Sequence, residues 1–383
     1  MKRSTERFLT THTGSLPRPE DLVRMMFAKE GGVPVDRTAL DARIRAAVAE
    51  TVQKQAKAGV DIVNDGEMSK VGYATYIKDR CDGFGGESVS NIRMADVVEF
   101  PGVAKRLGMD PGRQHRRTPA CNAAIRSRGI EPVEIDIANL KSAIGGAKVE
   151  EGFMSAASPG VVAAFFVDQF YGSRDAYLAA IAEAMRPEYE AIAKAGLTLQ
   201  IDCPDLAMSR HNEFPHLTVA EFRREAQRHV EALNEATKNI PPEQMRIHLC
   251  WGNYDGPHHY DVPMKDIIDI VFRARPQGIS FEAANPRHAH EWVVFEEVKL
   301  PDGKYLIPGV LESKGNFIEH PELVAQRLGR YAKLVGRENV MAGSDCGFGT
   351  FVGFANVDPD IVWAKLATAA EGARLATKEF WKR

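Results

Sequence analysis

What this 383-residue sequence has little of narrows it first. Its five cysteines, Cys81, Cys121, Cys203, Cys250 and Cys346, are few, odd in number and widely spaced. That excludes a disulfide framework and points to reduced thiols in a cytoplasmic protein. No apolar run approaches the roughly 18 residues that span a bilayer, so no membrane partner is expected. The stretch from Met1 to Phe8 has no apolar core of the kind a secretory signal needs. Neither sign of charge dominates: 49 Lys and Arg against 52 Asp and Glu give −3, too little to draw the chain to nucleic acid. No G-x-G-x-x-G follows the first strand-like run, which counts against a doubly wound dinucleotide fold.

What is there is ordinary for a soluble globular enzyme, with 44% hydrophobic and 26% charged residues. The length suffices for one barrel with an insertion or for two domains, and leaves a homo-oligomer open. Apolar runs of strand length occur at 8–11, 60–64, 152–160 (a strand with its loop), 197–202, 245–250, 278–282, 305–310 and 340–343. Between them lie helical patterns, among them 37–58 closed by Gly59, 177–195, 219–238, 265–273, 321–336 and 361–376. Eight strands alternating with helices predict an α/β chain folded as a (β/α)8 TIM barrel, a single domain over 1–383. The rhythm breaks over about 78–146, which reads as an insertion after strand 2. It carries a basic patch (Arg113, His115, Arg116, Arg117, Arg126, Arg128), readable as an anion contact or as a solvated face.

The chemistry centres on Met245-Arg-Ile-His-Leu-Cys250. Alternate residues of a strand share a face, so His248 and Cys250 point the same way, and imidazole with thiolate suits zinc. Glu282 closes another strand, and Cys346 follows a third on a glycine-flanked turn. Four ligand types at strand ends, which a barrel gathers at one rim, point to a Zn²⁺ site. The plain alternatives are a satisfied core imidazole and two small buried hydrophobes. Four protein ligands leave no open position, so one has to yield or the metal has to expand its shell, and Glu282 is the weakest held. An incoming thiol would be acidified below its free value near 8.5, which favours alkyl transfer to sulfur over hydrolysis. Glu67 and Asp202 end strands two and four and could hold an ammonium, with Ser15 and its loop amides on a carboxylate. A capping or loop role is the alternative for both acids.

Taken in order, Thr11-His-Thr-Gly-Ser-Leu-Pro-Arg18, Val63-Asn-Asp-Gly-Glu67, Leu199-Gln-Ile-Asp202, Ile247-His-Leu-Cys250, Phe281-Glu282 and Ser344-Asp-Cys-Gly347 resemble the catalytic half of the cobalamin-independent methionine synthase family. These are zinc-dependent thiol alkyltransferases on a (β/α)8 barrel. The resemblance implies zinc on His248, Cys250, Glu282 and Cys346, and homocysteine on Ser15, Glu67 and Asp202. It implies methyl transfer to homocysteine, in methionine biosynthesis, from 5-methyltetrahydrofolate or another methyl donor. There are departures. Cys203 stands where the family's Ile-Asp-Glu-Pro has its acid. The family's leaving-group histidine falls on Lys314, with Glu312 as the alternative. The folate-contacting Arg-Cys region has no counterpart beyond Arg117 and Cys121, and the long members' second barrel has no room here. Lys314, or the nearby His258 or His259, is expected to manage the leaving group's proton. Two alternatives stay open: thiol addition to another electrophile, as in epoxide opening by coenzyme M, and a non-catalytic zinc-binding barrel.

Overall fold

Parallel strands covered on both faces need to be apolar on both, and the strand-like runs are buried along their length except at the half-buried Asp61. The computed structural model describes residues 1–89, 94–107, 117–353 and 355–382. Seven strands form one parallel sheet: β1 (Ile62–Val63), β4 (Glu151–Ala157), β5 (Thr198–Asp202), β6 (Met245–Leu249), β7 (Gly278–Phe281), β8 (Tyr305–Leu311) and β9 (Gly343–Ser344), in that spatial order. The remaining two, β2 (Cys81–Val89) and β3 (Arg117–Ser127), pair antiparallel as a separate ribbon. The first expected strand, 8–11, makes one isolated bridge, Thr10 to Ala342. Its backbone nevertheless bonds both edges of the sheet: Thr11 N donates to Ala342 O (2.8 Å), and Ile62 N donates to Thr10 O (3.0 Å).

The long helices lie where the apolar periodicity places them, each with a legible start. Asp36 caps Arg37–Ala58, Ser173 caps Arg174–Lys194, and Thr218 with Glu221 forms a capping box on Val219–Ala236. Gly59 ends the first of these at φ 84°, a conformation that costs glycine little. Pro321–Val335 and Pro359–Trp381 follow late in the chain. The helix expected over 265–273 shrinks to a 3-10 turn (Met264–Asp266) and one α turn (Ile268–Val271). The break falls at Ile267, whose φ of −128° departs from helical backbone.

Within the expected insertion, the structure shows the β2–β3 ribbon, two short helices (Ala95–Val98, Pro101–Arg106) and then a regular helix, Glu131–Gly145. That helix buries Val133, Ile137 and Leu140, an i, i+4, i+7 stripe that the surrounding glycines and charges mask in the sequence. Of the basic patch, Arg113, His115, Arg116 and the Arg117 side chain lie outside the described residues. Arg126 and Arg128 are exposed, and Arg128 pairs with Asp82 at 2.7 Å.

Candidate active site

The C-terminal ends of β6, β7 and β9 deliver the four expected ligands to one place. His248 points off β6, and its Nδ1 lies 3.1 Å from Ser280 Oγ on β7. Its Nε2 is buried with no hydrogen-bond partner. The donor atoms of His248, Cys250 and Cys346 all lie within 4.8 Å of one another. Glu282 completes the group, with Oε1 accepting from Cys346 Sγ at 3.1 Å. Asp345 fixes this meeting, because its carboxylate accepts from the amides of Ala283 and Ala284 (2.8 Å each) and Asn285 (2.6 Å). It thereby ties the loop carrying Glu282 to the turn carrying Cys346.

The cluster's electrostatics favour anionic donors. The Cys250 thiol is pulled down to about 6 by a hydrogen bond with Cys346 and by the His248 imidazole, against its burial. Cys346 is pushed up by burial and by its neighbour Cys250. Burial works against an ionised Glu282, yet Lys314, His258 and His288 more than offset it and hold the carboxyl below its ordinary value. Lys314 Nζ lies 3.5 Å from Glu282 Oε1, is buried, and makes no hydrogen bond. An orphaned imidazole nitrogen, a thiol inclined to ionise, a second thiol and an ionised carboxylate form a donor set for a borderline-soft cation.

A second group of carboxylates stands beside this one. Glu67 ends the turn after β1 at φ 59°, a left-handed conformation that costs a non-glycine residue about 1–3 kcal/mol and that functional sites retain. Its Oε1 accepts from Ser155 Oγ at 2.6 Å, while Oε2 is buried without a partner. Asp202, at the end of β5, accepts from Gln200 Nε2 at 2.8 Å. Burial and the like charge of Glu67 push Asp202 up to about 7. Two facing buried carboxylates suit a ligand that carries a positive charge. Ser15 closes the group: its Oγ accepts from Gly349 N at 3.3 Å and lies where a Cβ on Gly347 would intrude to 2.0 Å. Only glycine at 347 lets the Cys346 turn and the Ser15 loop come this close.

His258 and His259 are not brought to the thiols. His259 lies towards the surface on Glu99, at 2.8 Å. His258 belongs to a separate buried network, with Nδ1 on Asp261 (2.8 Å) and Nε2 on the Tyr254 carbonyl (3.0 Å). His288 bonds Asp261 (2.9 Å) and Glu291 (2.8 Å) through its two nitrogens, and burial notwithstanding, these two acids raise it to about 9. Rings whose nitrogens both face acceptors carry two protons, so this trio is a charge network, although its spacing alone would admit a metal. His258 therefore acts on Glu282 only as a nearby charge. Sequence reading missed Ser155, Gln200 and Asp345. Gln200 shared a strand face with Asp202, and Asp345 lay inside a quoted motif.

Against known proteins, no family model matches the chain. It is 23% identical over 371 residues to a methionine synthase of Thermococcus kodakarensis, covering 97% of this chain and 94% of that protein. A methionine synthase of Sulfurisphaera tokodaii is 22% identical over 373 residues, covering 97% and 93%. Among solved structures, a B12-independent methionine synthase from Shewanella sp. W3-18-1, in complex with selenomethionine, superposes with a TM-score of 0.75 at 19% identity, over 98% of this chain and all of that one. A putative vitamin-B12 independent methionine synthase from Listeria monocytogenes gives 0.67 at 16% identity, over 96% and 97%. Over nearly its whole length the chain is similar to methionine synthases. These methionine synthases are of about this chain's own length, and the solved ones share its fold. The motifs that suggested the relationship lie on the strand ends and turns that build the site.

Proposed function

We propose that this chain is a zinc-dependent S-methyltransferase that converts homocysteine to methionine, working in the cytoplasm as a single (β/α)8 barrel over 1–383 with an insertion after its second strand. The hydrogen bonds of residues 9–11 to both sheet edges support closure of the barrel. Five free cysteines, and no helix among the described residues long and apolar enough to cross a membrane, accord with that setting. The observation that carries the reading is the placing of His248, Cys250, Cys346 and Glu282 beside a pair of buried carboxylates. His248, Cys250, Cys346 and Glu282 would hold a zinc ion, which would supply a Lewis acid able to lower the pKa of an incoming thiol.

The chain's own groups do the rest. Glu67 and Asp202 hold the ammonium of homocysteine, Ser15 and its loop amides hold the carboxylate, and the sulfur is thereby directed at Cys250 and Cys346. The sulfur lone pair attacks the methyl carbon, and the donor departs with the electrons of its broken bond and takes up a proton. Lys314 is the ammonium placed to give that proton. Burial lowers its pKa, but the Glu282 carboxylate 3.5 Å away, with Cys346, Asp345 and Glu312, more than offsets this and keeps the amine protonated.

Lys314→Met tests the arrangement without turnover. It takes the ammonium from a buried Glu282 that keeps only hydrogen bonds from Cys346 and Asn285 and the more distant charges of His258 and His288, and breaking such a pair costs about 3–5 kcal/mol. Denaturant unfolding of metal-free protein should show that loss, and zinc loading should return most of it, because the metal answers the carboxylate instead. Equal destabilisation in both forms contradicts the account.

The reaction itself is tested by product mass from zinc-loaded protein given homocysteine or coenzyme M, with methylfolate, methylcobalamin, S-methyl compounds and an epoxide as electrophiles. Methionine from homocysteine is the expected product. A thioether formed only from coenzyme M and the epoxide overturns the proposal.

A further inference from the structure

Beneath the acceptor carboxylates lies a guanidinium that no carboxylate contacts. Arg246, on β6 two residues before His248, is fully buried, with Cζ 3.7 Å from the centre of the Phe153 ring. Its Nε donates to Gln200 Oε1 (2.8 Å), Nη1 to Thr11 Oγ1 (3.0 Å) and Nη2 to the His12 carbonyl (3.0 Å). Burial lowers it to about 10, which leaves it charged at neutral pH. A buried cation without an anion is costly, so its retention here points to a use beyond stability.

The use of the cation lies in what it does to Gln200. A guanidinium only donates, so Gln200 has to present its oxygen to Arg246. The amide nitrogen is thereby turned the other way, where it donates to Asp202 Oδ1 at 2.8 Å and to the Thr13 carbonyl. A primary amide freed of that constraint can flip and set an oxygen against the carboxylate. The other two donors of Arg246 hold Thr11 and His12, the residues that lead into the Ser15 loop.

We infer that Arg246 is a positioning residue for the amino-acid acceptor: through Gln200 it aligns Asp202, and through Thr11 and His12 it sets the loop of Ser15, so that the ammonium and carboxylate subsites stay in register. The inference rests on the homocysteine reading above and adds to it a residue that touches neither substrate nor metal.

The test uses zinc-loaded full-length chain as wild type, Arg246→Met, Arg246→Lys and Gln200→Glu. It measures zinc content, melting temperature, homocysteine binding by calorimetry, and KM for each substrate beside kcat. Arg246→Met should raise the homocysteine Kd and KM about tenfold or more, with donor KM and kcat within about threefold and zinc retained. Arg246→Lys should recover most of this, because an ammonium also only donates. Gln200→Glu keeps a partner for Arg246 but puts an acceptor against Asp202, so it should lose homocysteine affinity without the fall in melting temperature expected of Arg246→Met. Unchanged homocysteine affinity in Arg246→Met and Gln200→Glu overturns the inference, as does an even loss of kcat and both KM values. Wild type that fails to bind homocysteine overturns the functional reading instead.

Discussion

Cys346→Ser is expected to strip the chain of zinc and of thiol alkylation together. Losing only an outer partner of a metal ligand typically costs 10–100-fold in affinity or activity, so losing a thiolate ligand should exceed about 100-fold. Serine nearly preserves the volume of a buried side chain that touches Glu282, so misfolding offers little alternative explanation. Zinc content after dialysis, read beside methionine formation, checks the pair. Full activity without metal would set aside the role given to these four side chains.

Glu67→Gln should weaken homocysteine by about 1.5–3 kcal/mol, roughly 10- to 150-fold in Kd, the loss of a charge-assisted bond. The substitution keeps an oxygen for Ser155 and removes only the charge. It also relieves Asp202, whose pKa the neighbouring carboxylate raises, so Asp202 should ionise at lower pH in the variant. Part of the lost attraction thus returns, and Glu67→Gln with Asp202→Asn should be non-additive. Calorimetry with homocysteine, across the pH range around 7, measures both effects. An unchanged Kd would remove Glu67 from the acceptor site.

The grouping of His248, Cys250, Glu282 and Cys346 was legible because its chemistry is local to strand ends. His248 and Cys250 alternate on one strand, and Glu282 and Cys346 each close an apolar run, so a parallel sheet gathers them with no further information. What was not legible depends on partners distant in sequence. Arg246 reads as one more strand residue until Gln200, Thr11 and His12 are seen around it. Asp345 gives no sign that it accepts three amides from a loop some sixty residues away. His258 looked like a free acid–base group, and only Asp261 and the Tyr254 carbonyl reveal that both its nitrogens are committed. The helix Glu131–Gly145 was hidden for a different reason: its apolar stripe is short and follows a ribbon whose period is that of a strand.

X-ray absorption at the zinc edge, recorded before and after homocysteine is added, is the most direct measurement. The account predicts one zinc per chain with two sulfur and two nitrogen or oxygen neighbours, and a third sulfur in place of an oxygen once the thiol is present. A chain that takes up no zinc, or whose zinc keeps the same neighbours in saturating homocysteine, contradicts it.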